Sequence, residues 1–164
     1  MSAHLTPRSP GLALRLAAMT YEAVLLFGVV FIVGYLVLAL AQWTYPLQDY
    51  QRWVLQSALF VAIGAYFVWC WTRGGQTLAM KTWRLRVVGP DGGPIGWRTA
   101  LLRYLLAWHL FAPGIAYVAA FRTHAAWDVA AFALGFFAML AVGVASGDRQ
   151  LLHDRWLGTR VVRE

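Results

Sequence analysis

The sequence predicts an all-α membrane protein, a four-helix transmembrane bundle with a small cytoplasmic interfacial β-hairpin between helices two and three. Three observations carry this reading. First, 60% of the 164 residues are hydrophobic and 13% charged, with a mean hydropathy of +0.57; soluble domains hold about 45–50% and about 25%. A soluble globule of this size leaves too much surface exposed to hide that apolar excess, and the same excess excludes disorder. Second, residues 23–48, 53–72, 104–121 and 129–147 contain no Asp, Glu, Lys or Arg, and a helix needs about 20 apolar residues to cross a hydrocarbon core. Third, twelve of the fourteen Lys and Arg lie in the segments that alternate spans place on one side.

Taken in order, the first span covers residues 16–41. Arg8 and Arg15 precede it, Glu22 sits near its start, and Ala39-Leu40-Ala41 ends it. A secretory signal peptide would show a similar basic start and small-x-small end, but its apolar run is typically about 7–15 residues. The longer run here, with Glu22 at its start, favours a retained span. The second span covers 53–72, and Trp43, Tyr45, Tyr50 and Trp53 form an aromatic belt at the turn before it. The third covers 102–121 and contains Pro113–Gly114, which predicts a kink whose freed backbone groups neighbouring helices satisfy. The fourth covers 128–147. All four form one membrane domain over 1–164.

Orientation follows from the basic residues. Arg52 and Arg122 fall in the two short loops, and the other twelve lie in the N-terminal, central and C-terminal segments. The positive-inside rule then places both termini and the central segment in the cytoplasm, in a multi-pass protein of the cell (inner) membrane. A net charge of +7 also fits nucleic-acid binding in principle, but the charges lie between apolar stretches rather than along one face, and no nucleic acid is expected as a partner. In the central segment, Thr82–Val88 alternates and is rich in β-formers, and Gly89-Pro90-Asp91-Gly92-Gly93-Pro94 supplies a turn. A return through Ile95 gives the hairpin. A lone hairpin is marginal in water, and Thr159–Val162 in the tail offers a further strand.

The candidate functional residues are few. Arg15 and Glu22 share a helix face, with an axial separation of about 10.5 Å that is too long for an easy direct pair, so each needs another partner. A carboxylate within a span is costly; Glu22 is either a paired structural group or an ion or proton carrier. Gly74 and Gly75 end the second helix, and Gln76 and Thr77 cap the chain as it leaves. Asp154 either pairs locally among His153, Arg155 and Arg160 or meets Arg15. His109, within the third span, is a weaker candidate for proton relay, and more simply a hydrogen-bonded structural histidine. His124 reads as solvated, Cys70 as a small apolar residue near a helix end, and Gly143-x3-Gly147 as a site of close helix approach. A single cysteine excludes a disulfide framework, and the absence of metal-ligand spacing, nucleophile elbow and phosphate loop predicts no metal, no cofactor and no enzyme activity.

Arg15-x6-Glu22 at the first apolar helix, GGQTLAMKTWRLRVV with PDGGPI in the centre, and HDRWLGTRVV near the C-terminus together resemble the RDD family of small bacterial membrane proteins. The resemblance spans nearly the whole chain. The arginine and two aspartates that name the family correspond to Arg15, Glu22 and Asp154, with glutamate replacing the first aspartate. It implies a membrane protein for which transport has been proposed, and ion–proton antiport in some members. Two functions follow as expectations: transport of a small ion or solute using Glu22, or a membrane-embedded interaction module whose basic cytoplasmic surface binds a protein or anionic lipid. Partners on either reading are the lipid bilayer and a second copy of the chain, since four helices alone offer little room for a pathway.

Overall fold

The computed structural model describes residues 10–121, 125–145 and 150–163. Helix α1 (Leu12–Ala41) is apolar on all sides after Glu22 and stops where Gln42 takes a left-handed conformation at φ 55°. Helix α2 (Asp49–Gly74) starts where the Gln51 side chain accepts the Gln48 N–H at 2.8 Å, and it ends at Gly75. Trp43 and Tyr50 meet edge to face at 5.9 Å in the connecting turn. The short helix α3 (Leu78–Thr82) leads into strand β1 (Leu85–Val88).

Helix α4 (Trp97–Ala107) continues through a 3₁₀ turn (Trp108–Leu110) into α5 (Ala112–Phe121), and α6 (Ala125–Ala145) packs along α5. The tail adds α7 (Leu152–Leu157) and strand β2 (Arg160–Arg163). Gly64 admits the Tyr104 ring between α2 and α4, since a Cβ there would lie 2.8 Å from its Cε1. Gly114 and Gly135 let the backbones of α5 and α6 approach closely, since an added Cβ would lie 2.7 Å from Phe132 Cα and 3.0 Å from Gly114 N.

Among the described residues, three helices are long and apolar enough to cross a membrane, at Ala13–Ala41, Asp49–Gly74 and Ala126–Gly143. The third predicted span is not one straight helix. Its halves, Trp97–Leu110 and Ala112–Val118, meet at a bend of 49°, so the chain has up to four spans if the bent pair is one. The break falls at Trp108–Phe111, one turn before Pro113. Proline clashes with the carbonyl four residues earlier, here that of His109, so the helix opens ahead of the ring.

The central segment departs from the expected hairpin. Strand β1 pairs antiparallel with β2 from the tail, Leu85 opposite Arg163 and Val88 opposite Arg160. The turn closes on itself through Gly89 N–H to Gly93 O at 2.8 Å, but the chain beyond it enters α4 behind buried Ile95 instead of returning as a strand. The two-stranded sheet gains what a lone hairpin lacks, a core: Leu85, Val87 and Val161 pack with Trp71, Ala100 and Tyr104.

Phe27, Phe31, Ile32 and Leu40 on α1 and Val61 on α2 face outward. Such surface would aggregate in water, whereas in a bilayer it is the contact with lipid. His124, Arg122 and Gly147 lie outside the described residues. Gly143 packs instead on Leu151, whose Cδ2 would lie 2.8 Å from an added Cβ.

Candidate functional site: a buried ionic cluster

Among the described residues, four charged side chains are buried at one end of the helices: Arg15 and Arg103 at 4% exposure, Glu22 at 8% and Asp154 at 0%. Charges in this setting require partners. Glu22 projects from α1 towards α2 and the start of α3, where Tyr66 Oη donates to its Oε1 at 2.6 Å and the Thr77 hydroxyl donates to its Oε2. The same Thr77 oxygen accepts the Met80 N–H at 3.2 Å and caps α3. Thr77 thus ties the start of α3 to the carboxylate, with its proton and one of its two lone pairs in use.

The residues before Thr77 fix its place. Gly75 adopts φ +68°, accepts the Val87 N–H at 2.8 Å and leaves no room for a side chain, because an added Cβ would lie 2.6 Å from Val87 O. Gln76 donates to Leu85 O at 2.9 Å. Gly74 closes the last turn of α2. The GGQT motif therefore joins α2, α3 and β1, with Gly75, Gln76 and Thr77 each making a different bond.

Asp154 and Arg15 are not each other's partners. Asp154 on α7 takes Arg103 Nη1 from α4 and the Thr159 hydroxyl at 3.1 Å, and Arg103 Nη1 also reaches Thr159 Oγ1 at 2.8 Å. The Arg103 guanidinium lies 5.0 Å above the Trp71 ring of α2. Arg15 donates to Pro10 O and to Gln150 Oε1, both at 3.3 Å. Gln150 binds both backbone groups of Val161 in β2, accepting its N–H at 3.1 Å and donating to its carbonyl at 3.3 Å. The first helix is thus tied to the tail through Gln150, and the fourth through Asp154.

His109 stands where the 3₁₀ turn begins to unwind α4, with Nδ1 2.5 Å from Leu106 O and its ring 5.5 Å from that of His153. Burial, then the charge of Arg103, then His109 and Arg15, push the His153 imidazole from its ordinary 6.5 down to about 2. The unfolded chain takes up that proton near pH 6.5 while the fold refuses it. Stability is therefore complete above pH 6.5 and falls by up to about 1.4 kcal/mol per pH unit as the pH drops from there towards 2. In detergent, His153→Gln is expected to flatten the fall of melting temperature between about pH 6.5 and 5, above the carboxylate range. An unchanged slope would remove His153 from the acid response.

Sequence reasoning reached Arg15, Glu22, Thr77, Asp154 and His109, and His153 as a neighbour of Asp154, but missed Tyr66, Arg103, Gln150 and Thr159. Arg103 carried a usable signal, since it falls inside the predicted span 102–121, where a cation needs a carboxylate. Tyr66 and Gln150 had none, since only the tertiary fold brings them to the cluster, and Thr159 was read only as part of a strand. Among the described residues, no group of three His, Cys, Asp or Glu is placed to hold a metal ion.

Apolar helices of spanning length closed at one end by a buried ionic cluster define a membrane protein. The chain belongs to the RDD family, whose model matches residues 9–158 and so takes in Arg15, Glu22, the GGQT segment and Asp154. No curated protein and no solved structure matches it.

Proposed function

We propose that the protein carries a small ion or solute across the membrane, with Glu22 as the carboxylate that takes up and releases a proton or monovalent cation. The observation that supports this is the environment of Glu22. Among the described residues its partners are two hydroxyls and no cation. Hydroxyls donate to an ionised carboxylate and can turn their lone pairs towards a bound cation, whereas a fixed guanidinium would compete with it. Arg103 is held by Asp154 and Arg15 by Gln150, so the two buried cations are engaged elsewhere. In this reading the protein is a multi-pass protein of the inner membrane with both termini cytoplasmic, and self-association supplies the walls of the pathway.

The test is proton and cation flux into liposomes containing the purified protein. Glu22→Gln is expected to remain folded and to lose both the flux and its pH dependence. Glu22→Asp should keep part of it, because the family's usual residue at that place is aspartate. A folded Glu22→Gln protein with normal, pH-dependent flux would remove Glu22 from the mechanism.

A further inference from the structure

The two oxygens of Glu22 are held from different elements. Tyr66 on α2 donates to Oε1 at 2.6 Å, and the Thr77 hydroxyl at the entry to α3 donates to Oε2. Thr77 is 1% exposed, so this contact lies out of reach of bulk water. Its oxygen is also anchored from behind, where the Met80 N–H donates to it at 3.2 Å as α3 begins. The backbone that carries it is fixed in turn: Gly75 O accepts the Val87 N–H at 2.8 Å, and the Gln76 side chain donates to Leu85 O at 2.9 Å. None of these anchors uses the Thr77 hydroxyl hydrogen, which can turn about the Cβ–Oγ bond between staggered positions.

A carboxylate that exchanges its charge makes opposite demands on such a neighbour. Ionised, Oε2 needs a hydrogen-bond donor. Carrying a proton, it needs an acceptor for its own O–H; beside a bound cation, it needs a second oxygen to share the ion. A hydroxyl meets both demands from one oxygen, whereas a backbone N–H, an ammonium or a guanidinium meets only the first. We propose that Thr77 is the positioning residue of exchange at Glu22. The Met80 N–H holds its oxygen in place, and a turn of its hydrogen alone presents a donor to the empty carboxylate and a lone pair to the loaded one. The exchanged proton stays on Glu22, and Thr77 never ionises. Because the oxygen does not move, loading and unloading leave α3 capped and β1 seated. This proposal rests on the reading of Glu22 as the exchanging group and adds to it the device that serves both of its states.

The experiment measures proton flux into liposomes holding the full chain, per amount of folded protein. Hydrogen exchange over residues 78–82 reads the state of the cap alongside it. Thr77→Ser keeps the hydroxyl and should retain most of the flux, with α3 protected as in wild type. Thr77→Asn separates the cap from the turn. Its side-chain oxygen can accept the Met80 N–H while its NH₂ donates to Glu22, but that nitrogen has no lone pair for the loaded carboxyl. Flux is expected to fall about tenfold or more, the usual size of a hydrogen bond to a charged group expressed as a rate, with exchange over 78–82 unchanged. Thr77→Asp caps α3 but carries no hydrogen for the ionised carboxylate; it should lose flux in the same way and serves if Thr77→Asn does not fold. Thr77→Val should lose both flux and protection. Wild-type flux in a capped Thr77→Asn or Thr77→Asp protein would overturn the proposal and leave Thr77 as a helix cap alone. So would loss of flux in a Thr77→Ser protein whose α3 stays protected. The two readings fail differently: absence of flux in wild type, or flux that Glu22→Gln leaves intact, overturns the role of Glu22 and this proposal with it. Loss in Glu22→Gln with none in Thr77→Asn overturns this proposal alone.

Discussion

Asp154→Asn is expected to destabilise the fold by about 3–5 kcal/mol, the usual consequence of leaving one member of a buried ion pair without the other. Among the described residues Arg103 meets no second carboxylate, and Trp71 stacks on the guanidinium without neutralising it. Thermal or denaturant unfolding in detergent measures the loss. The double variant Arg103→Gln, Asp154→Asn should lose much less than the two single changes added together, since it removes the stranded charge. Strict additivity would count against the pair. Exchanging the charges of Arg15 and Asp154 should recover nothing, because Arg15 is engaged with Gln150 and Pro10.

Gly75→Ala is expected to cost about 2–4 kcal/mol, from placing an L-residue in the left-handed region and from forcing a Cβ against backbone. The obstacle is Val87 O at 2.6 Å, which belongs to the strand that Gly75 itself hydrogen-bonds, so relief requires β1 to move away from α2. Gly74→Ala is the control. Nothing lies within 4 Å of its added Cβ, and its effect should stay within about 0.5 kcal/mol. Melting temperatures of the two variants in the same detergent decide the matter. Similar values for both would show that β1 is not seated on the glycine.

How far the sequence could be read depended on the range of each interaction. The first two spans were legible because their signal is local, an uninterrupted apolar run; α1 ends at the predicted Ala41, and α2 exceeds its predicted span by four residues at one end and two at the other. Gly74 and Gly75 were legible as a helix stop for the same reason. The bend in the third span was foreseen from Pro113, but its position was not, because proline disturbs the turn before it. The hairpin was misread because residues 82–95 hold strand and turn chemistry in hairpin order; the strand in the tail was legible at Thr159–Val162, and the core around Trp71 and Tyr104 selects it as the partner of β1. The ionic partners were the least legible. Arg103 and Asp154 are 51 residues apart and Arg15 and Gln150 are 135 apart, so no periodicity links them.

The pairing of β1 with β2 also orders events in time. A chain made from its N-terminus completes β1, Arg15 and Arg103 well before Gln150, Asp154 and β2 exist. At about 5–20 residues per second, the ribosome needs roughly 4–15 s to add the residues between β1 and β2. During that interval α1 and α2 can enter the bilayer and pack, but the Arg103 guanidinium has no carboxylate to meet and β1 offers an unpaired edge. Biogenesis of this protein is therefore completed by its tail: the inserted helices gain a partner for Arg103 and for strand β1 only when residues 150–163 pack against them. A quality-control factor that senses an open strand edge or an uncompensated cation would have a few seconds in which to distinguish a finished copy from an interrupted one.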